Sequence, residues 1–194
     1  MNNRLAEALN APLSTPAYIG VTGLLNQMVV TNICTHINVC AERGHSPIVL
    51  MINSAGGSPT DGVYLYNFLK MHSAHVVTYN AGNCESAALT AFLGGKVRVS
   101  APNGLFMMHP VTLGSAGPER VGKYEANVQG MRLEEARIDG ILKLETKLSD
   151  NLLKRRSRTE VYFDANTALK HGIVGQVTTM TAVHGAFVVQ VPIV

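Results

Sequence analysis

The sequence predicts a single α/β domain, and three observations predict it. Short apolar runs at residues 48–52 and 76–79 have the length and unbroken character of strands covered on both faces. Helical stripes and cap signals alternate with such runs along the first half of the chain. Finally, 194 residues with 46% hydrophobic content supply one sizeable core but not two ordinary domains. The domain is expected to span 1–194, with 1–16 as a loosely held N-terminal arm.

Taken in order, residues 17–21 form a short strand. Residues 24–43 carry Leu25, Val29, Ile33, Ile37 and Cys40 on one helical face, and Gly44 ends that helix. The strand at 47–53 runs into Ser54-Ala55-Gly56-Gly57-Ser58-Pro59. Ser58 caps the next helix, Pro59 fits its first position and Asp61 its first turn, and the helix reaches about Met71. The strand at 76–79 leads to residues 82–92, GNCESAALTAF, read as opening a helix with Ser86 in its first turn. Residues 96–100 alternate as a strand, Pro102-Asn103-Gly104 turns, and 105–109 is a further strand. Residues 112–118 are small and glycine-containing. Residues 119–150 show one long helical pattern, weakened or bent at Gly130 and Gly140. Such a helix projects beyond a compact domain of this size, and its apolar stripe then needs a partner, which argues for oligomerisation. A short helix at 164–171 and strands at 173–179 and 186–194 complete the chain.

Composition excludes several function classes. Sixteen basic and thirteen acidic residues give a net charge of +3, too little to argue for nucleic acid. Charged residues make up only 15% of the chain, so much of the surface is expected to lie against other subunits. Cys34, Cys40 and Cys84 show no metal-ligand spacing and read as reduced thiols of a cytoplasmic protein. No segment is apolar for long enough to be a signal core or to span a membrane. The basic run Lys154-Arg155-Arg156-Ser157-Arg158 reads as a solvated loop face after a helix rather than an anion site.

Three sites carry potential chemistry. Ser86, at a strand-to-helix junction with free backbone N–H groups around it, suits a nucleophile; the plainer reading is a helix cap. His109 ends the strand LFMMH, where it could take that serine's proton; the plainer reading is a satisfied core histidine. Gly56-Gly57 follows a buried strand, where the Gly57 N–H could serve an oxyanion hole; the plainer reading is a tight turn. Cys84 is an alternative nucleophile, although a small packed residue is the better reading. No dinucleotide fingerprint G-x-G-x-x-G is present.

The joint order of INSAGGS (52–58), GNCESAA (82–88), Pro102-Asn103, Met107-Met108-His109 and ALKHGIV (168–174) resembles the proteolytic subunit of the Clp protease, ClpP, a serine peptidase family on the crotonase-like fold. The resemblance covers roughly residue 18 to the final strands and implies stacked ββα units with a projecting handle helix at about 112–150. It places Ser86 on the nucleophile, His109 on the general base, and Gly57 and Ala87 on the oxyanion-hole donors. Glu160 falls on the third triad position, an aspartate in the family, with Asp164 the nearby competitor and a natural helix cap. Two interlocked heptameric rings enclosing a proteolytic chamber, peptide or unfolded-protein substrates bound by β-addition, and no metal or organic cofactor are further implications. Three departures stand out. The N-terminal part, which in the family faces an unfoldase ATPase, is short. Ala87-Ala88 replaces methionine–glycine. Glu85 sits beside the nucleophile. An acyl-CoA enzyme of crotonase type and a non-catalytic ring subunit are the alternatives on the same fold.

Overall fold

The computed structural model describes residues 15–112, 114, 117–118 and 120–191. The expected arm at 1–16 therefore lies, except for Thr15 and Pro16, outside the described residues, as does part of the 112–118 stretch.

The first half follows the sequence closely. Strand β1 (Ala17–Thr22) pairs in parallel with β2 (Ile48–Ser54), and β2 with β3 (Val76–Glu85). Helix α1 (Gln27–Glu42) links the first two strands, with Asn26 accepting from the Val29 N–H at its start. Helix α2 (Pro59–Met71) links the second pair, capped by Ser58 with Pro59 in the first turn. Strands β4 (Val97–Ser100) and β5 (Leu105–Met108) both lie parallel to β3, β4 along its first half and β5 along its second. Between β3 and β4 sits the short helix α3 (Ala87–Phe92).

β3 is longer than the apolar run alone predicts. It continues through Gly82 to Glu85 because its second half finds new partners. Asn83 pairs with Leu105 and Glu85 with Met107, and Asn53 Oδ1 accepts from the Asn83 N–H at 3.0 Å. Polar residues read as a helix start are thus a strand held by tertiary pairing.

The long pattern at 119–150 divides. Helix α4 (Val121–Glu145) runs through both glycines, ends at Glu145, and is followed by α5 (Asp150–Arg156), capped by Ser149. The end of α4 is tied down by Glu145, which accepts from Tyr66 Oη and Lys70 Nζ at 2.8 Å each and from Arg98 Nη1 at 3.1 Å. Arg98 also donates to the Glu145 and Gly172 carbonyls. Only Ile141 and Leu142 of α4 are buried, while Val121, Tyr124, Val128, Leu133 and Leu144 are exposed.

Strand β6 (Val161–Asp164), which alternation over four residues did not announce, pairs antiparallel with β5. Asp164 caps α6 (Ala165–Lys170), accepting from the Thr167 N–H at 2.6 Å. Within the described residues the final strands are shorter than expected, β7 (Gln176–Val177) on β4 and β8 (Phe187–Gln190) on β1, and residues 192–194 of the expected 186–194 strand lie outside them. Among the described residues eight strands form one sheet in the order β6-β5-β3-β2-β1-β8, with β4 and β7 branching from β3. The main core packs α1, α2, α3 and the base of α4 on one side through Ile33, Leu50, Leu65, Leu89 and Phe92. A smaller cluster of Tyr18, Val49, Val77, Tyr79 and Val99 lies apart from it.

Candidate active site

Ser86 sits between β3 and α3, and its backbone is set before its side chain matters. Its N–H donates to the Met107 carbonyl at 2.8 Å, which fixes it to β5, while its own carbonyl receives the Leu89 and Thr90 N–H groups of the helix. The turn between these two commitments forces φ 54°, ψ −123°. Among the described residues no other non-glycine residue has a positive φ. Such a conformation costs on the order of 1–3 kcal/mol and persists only where the surroundings over-determine it.

The hydroxyl makes no helix-cap hydrogen bond. It meets His109 Nε2 at 2.7 Å instead. This contact is built by β5, which runs beside β3 and ends at Met108, so that the next side chain emerges over the start of α3. Sequence separation is 23 residues, and only the parallel pairing of β3 with β5 closes it.

Gly56 and Gly57, with φ of 101° and 138°, pass directly under the serine. A Cβ on Gly56 would lie 2.7 Å from Ser86 Cβ, and one on Gly57 would lie 2.1 Å from the Leu25 carbonyl oxygen. Side chains are therefore excluded at both positions. The Leu25 strand-like bridge holds this loop: Leu25 donates to the Gly56 carbonyl and accepts from the Ser58 N–H, skipping Gly57. Ala87 is the first residue of α3, where N–H groups have no intrahelical acceptor. The N–H groups of Gly57 and Ala87 have no hydrogen-bond acceptor among the described residues, and both residues line the same pocket as Ser86 and His109. The pocket encloses about 230 Å³ and continues into an apolar wall of Leu89, Met108, Ile138 and Leu142.

The structure does not bring Glu160 onto His109. Its Oε2 accepts from Tyr162 Oη at 2.8 Å, and both side chains are exposed. Among the described residues no carboxylate hydrogen-bonds the His109 imidazole. The backbone is nevertheless in register: Met108 pairs with Val161, so Glu160 stands opposite His109 one step beyond the ladder. Glu160 instead accepts from Tyr162, two residues on and on the same face of the strand. That bond raises the Tyr162 phenol above its ordinary range. Asp164 is committed to capping α6 through Thr167, which holds its carboxyl low. Glu85 is turned to Asn83, which donates to it at 2.9 Å. Cys84 is fully buried, and burial with the Glu85 charge pushes its thiol well above the usual range, so a thiolate nucleophile is disfavoured there.

The sequence reading missed Arg156. The basic run is not a loop face at this position: Arg156 lies on α5, is 1% exposed, and lines the pocket. It donates through Nη1 to the His109 carbonyl at 2.8 Å and through Nε to Asp139 Oδ1 at 3.0 Å, and it pairs with Glu135. One signal was available. Leu153 and Arg156 share a helix face, and Glu135 and Asp139 stand one turn apart on α4.

Comparison with known proteins gives a consistent result. The profile of the family described as Clp protease matches residues 4–181. The chain is 22% identical over 160 residues to the ATP-dependent Clp protease proteolytic subunit 2 of Pseudomonas aeruginosa, covering 81% of this chain and 78% of that one. It is 25% identical over 179 residues to the ATP-dependent Clp protease proteolytic subunit 1 of Streptomyces avermitilis, covering 90% and 81%. Among solved structures, a mutant ClpP1 from Listeria monocytogenes superposes with a TM-score of 0.72 at 22% identity, covering 83% of this chain and 90% of that one. The fold is therefore the ClpP/crotonase-like one, and the chain belongs to the Clp protease family.

Proposed function

We propose that the chain is a serine endopeptidase of the Clp proteolytic-subunit kind, with Ser86 as nucleophile and His109 as general base. The single observation that carries this reading is the 2.7 Å contact between His109 Nε2 and Ser86 Oγ, set beside the N–H groups of Gly57 and Ala87. His109 takes the hydroxyl proton as Oγ attacks a peptide carbonyl. The two N–H groups hold the oxyanion as charge develops on it. His109 then protonates the departing amine, and water, activated by the same imidazole, releases the acyl group and restores Ser86.

Glu160 is the third member in this reading. Its register opposite His109 supports it, and the contact requires Glu160 to leave Tyr162. The apolar wall of the pocket fits an apolar substrate side chain beside the scissile bond. The exposed apolar residues of α4, Val121 at 74% and Leu144 at 76% among them, suit burial between copies, in keeping with stacked heptameric rings. The relatives' names describe them as ATP-dependent.

A fluorophosphonate probe tests the assignment. The wild-type protein should be labelled at one site and Ser86→Ala should not; labelling that survives the substitution, or never occurs in the wild type, refutes it. A second reading, a non-catalytic ring subunit, draws on Glu160 being engaged by Tyr162. A purified homo-oligomer that cleaves a fluorogenic peptide unaided refutes that one.

A further inference from the structure

Arg156 is the largest fully buried side chain among the described residues, and one of its hydrogen bonds goes to the carbonyl of His109. A buried guanidinium is kept in place only by pairing, because its desolvation is otherwise prohibitive. Here Glu135 and Asp139 of α4 supply the opposite charge, both on the inward face of that helix, with side chains 24% and 32% exposed. The pairing leaves Nη1 free to donate to the His109 carbonyl at 2.8 Å. Glu135 uses its second oxygen differently: Oε1 accepts from the Val111 N–H.

The stretch His109-Pro110-Val111 is thus gripped at two backbone atoms, the carbonyl of 109 and the N–H of 111. Pro110 between them has no N–H to offer and a fixed φ. The grip matters because the sheet no longer holds this stretch: β5 ends at Met108, and the β6 ladder ends with Val161 opposite it. The orientation of the peptide plane after His109 therefore comes from α4 and α5.

We infer that Arg156 is a positioning residue for the peptidase reaction: it fixes the His109 carbonyl to the Glu135–Asp139 face of α4, so the imidazole meets Ser86 only when α4 is seated. The inference rests on the peptidase reading above. It makes the long helix part of the apparatus that sets proton-transfer geometry, although no residue of α4 touches Ser86 or His109 through a hydrogen bond among those described.

The test uses Arg156→Met and Arg156→Lys in the full chain, with circular dichroism and melting as the fold control. Turnover of a fluorogenic peptide is normalised to serines titrated by the fluorophosphonate probe. The imidazole nitrogens of His109 are followed in 15N-histidine-labelled protein. Displacing a catalytic group by about 1 Å costs roughly 100-fold, so Arg156→Met should lower kcat by about 30-fold or more with KM within about threefold. The lysine variant should recover part of the loss, since an ammonium can still donate to the His109 carbonyl but cannot bridge both carboxylates. The His109 signals should move in both variants. A residue that merely holds the fold together would lower the melting temperature and the titre while leaving kcat per titrated serine unchanged, and that result, with unmoved His109 signals, overturns the inference. If the wild type neither labels nor cleaves, the peptidase reading falls, and the His109 signals alone decide whether Arg156 positions the imidazole. Should Arg156→Met fail to fold, Glu135→Gln with Asp139→Asn loosens the far end of the grip, and unmoved His109 signals there overturn the inference equally.

Discussion

Substituting Gly56 by alanine separates backbone strain from damage to the nucleophile. Gly56 has φ 101°, a region that alanine occupies at a cost of about 1–3 kcal/mol. The new Cβ would also stand 2.7 Å from Ser86 Cβ, against the 3.4 Å at which ordinary contact begins, a shortfall of about 0.7 Å. It would lie 2.9 Å from the Glu85 carbonyl oxygen and 3.1 Å from the Ala87 nitrogen as well. These are backbone atoms and a residue already in a strained conformation, so the overpacking adds about 1–3 kcal/mol and is relieved by moving Ser86. Gly44→Ala is the matched control. Gly44 has φ 79° but nothing within 4 Å of an added Cβ, so only the left-handed penalty of about 1–2 kcal/mol applies. Urea denaturation should show Gly56→Ala losing clearly more stability than Gly44→Ala. The fluorophosphonate labelling rate should fall by roughly 100-fold in the first and stay within about twofold in the second. Equal stability losses and equal labelling rates in the two variants would refute the reasoning that Gly56 is a glycine because Ser86 leaves no room above it.

Other outcomes follow from the same geometry. Glu160→Gln should lower kcat by at least about tenfold, and Tyr162→Phe, which removes the donor that engages Glu160, should leave kcat unchanged or raise it; a Glu160→Gln enzyme within twofold of wild type removes Glu160 from the mechanism. Burial opposes ionisation of Glu145, but the Lys70 and Tyr66 hydrogen bonds and the Lys70 and Arg98 charges outweigh it and hold its carboxyl below the ordinary range. Its stabilising contribution is therefore present above the ordinary carboxylate range and is lost as pH falls through the lowered value. Denaturation should accordingly separate wild type from Glu145→Gln near neutrality and bring the two together in acid. Cys84 should stay silent towards a disulfide-exchange reagent in the folded protein and react only on unfolding, as its burial and raised thiol require.

Elements whose signal is local were legible in the chain. Ser58, Pro59 and Asp61 mark the start of α2, and the structure finds that cap in place. The apolar runs of β2 and β3 lie at the centre of the sheet, as unbroken hydrophobicity implies. Elements whose signal is a partner were not legible. The second half of β3, NAGNCE, is polar and small, and becomes strand only because β5 and Asn53 lie alongside. β6 is an antiparallel edge of four residues whose pairing with β5 no periodicity encodes. Lys154-Arg155-Arg156 looks uniformly solvated in sequence, yet one turn of α5 buries the third of these residues against two carboxylates 17 and 21 positions earlier.

By itself, then, the sequence determined the alternating α/β order, the family, and the residue types at the site: a serine after a strand, a histidine at a strand end, glycines where a backbone must come close. Those depend on short-range backbone preferences and on apolar runs, which a linear chain displays. Tertiary structure alone decided that Ser86 and His109 meet at 2.7 Å, that Glu160 faces Tyr162, and that Arg156 grips the His109 carbonyl. The first and last of those contacts join residues through strand register or helix seating, and register is set by the whole core rather than by any segment that takes part in the contact.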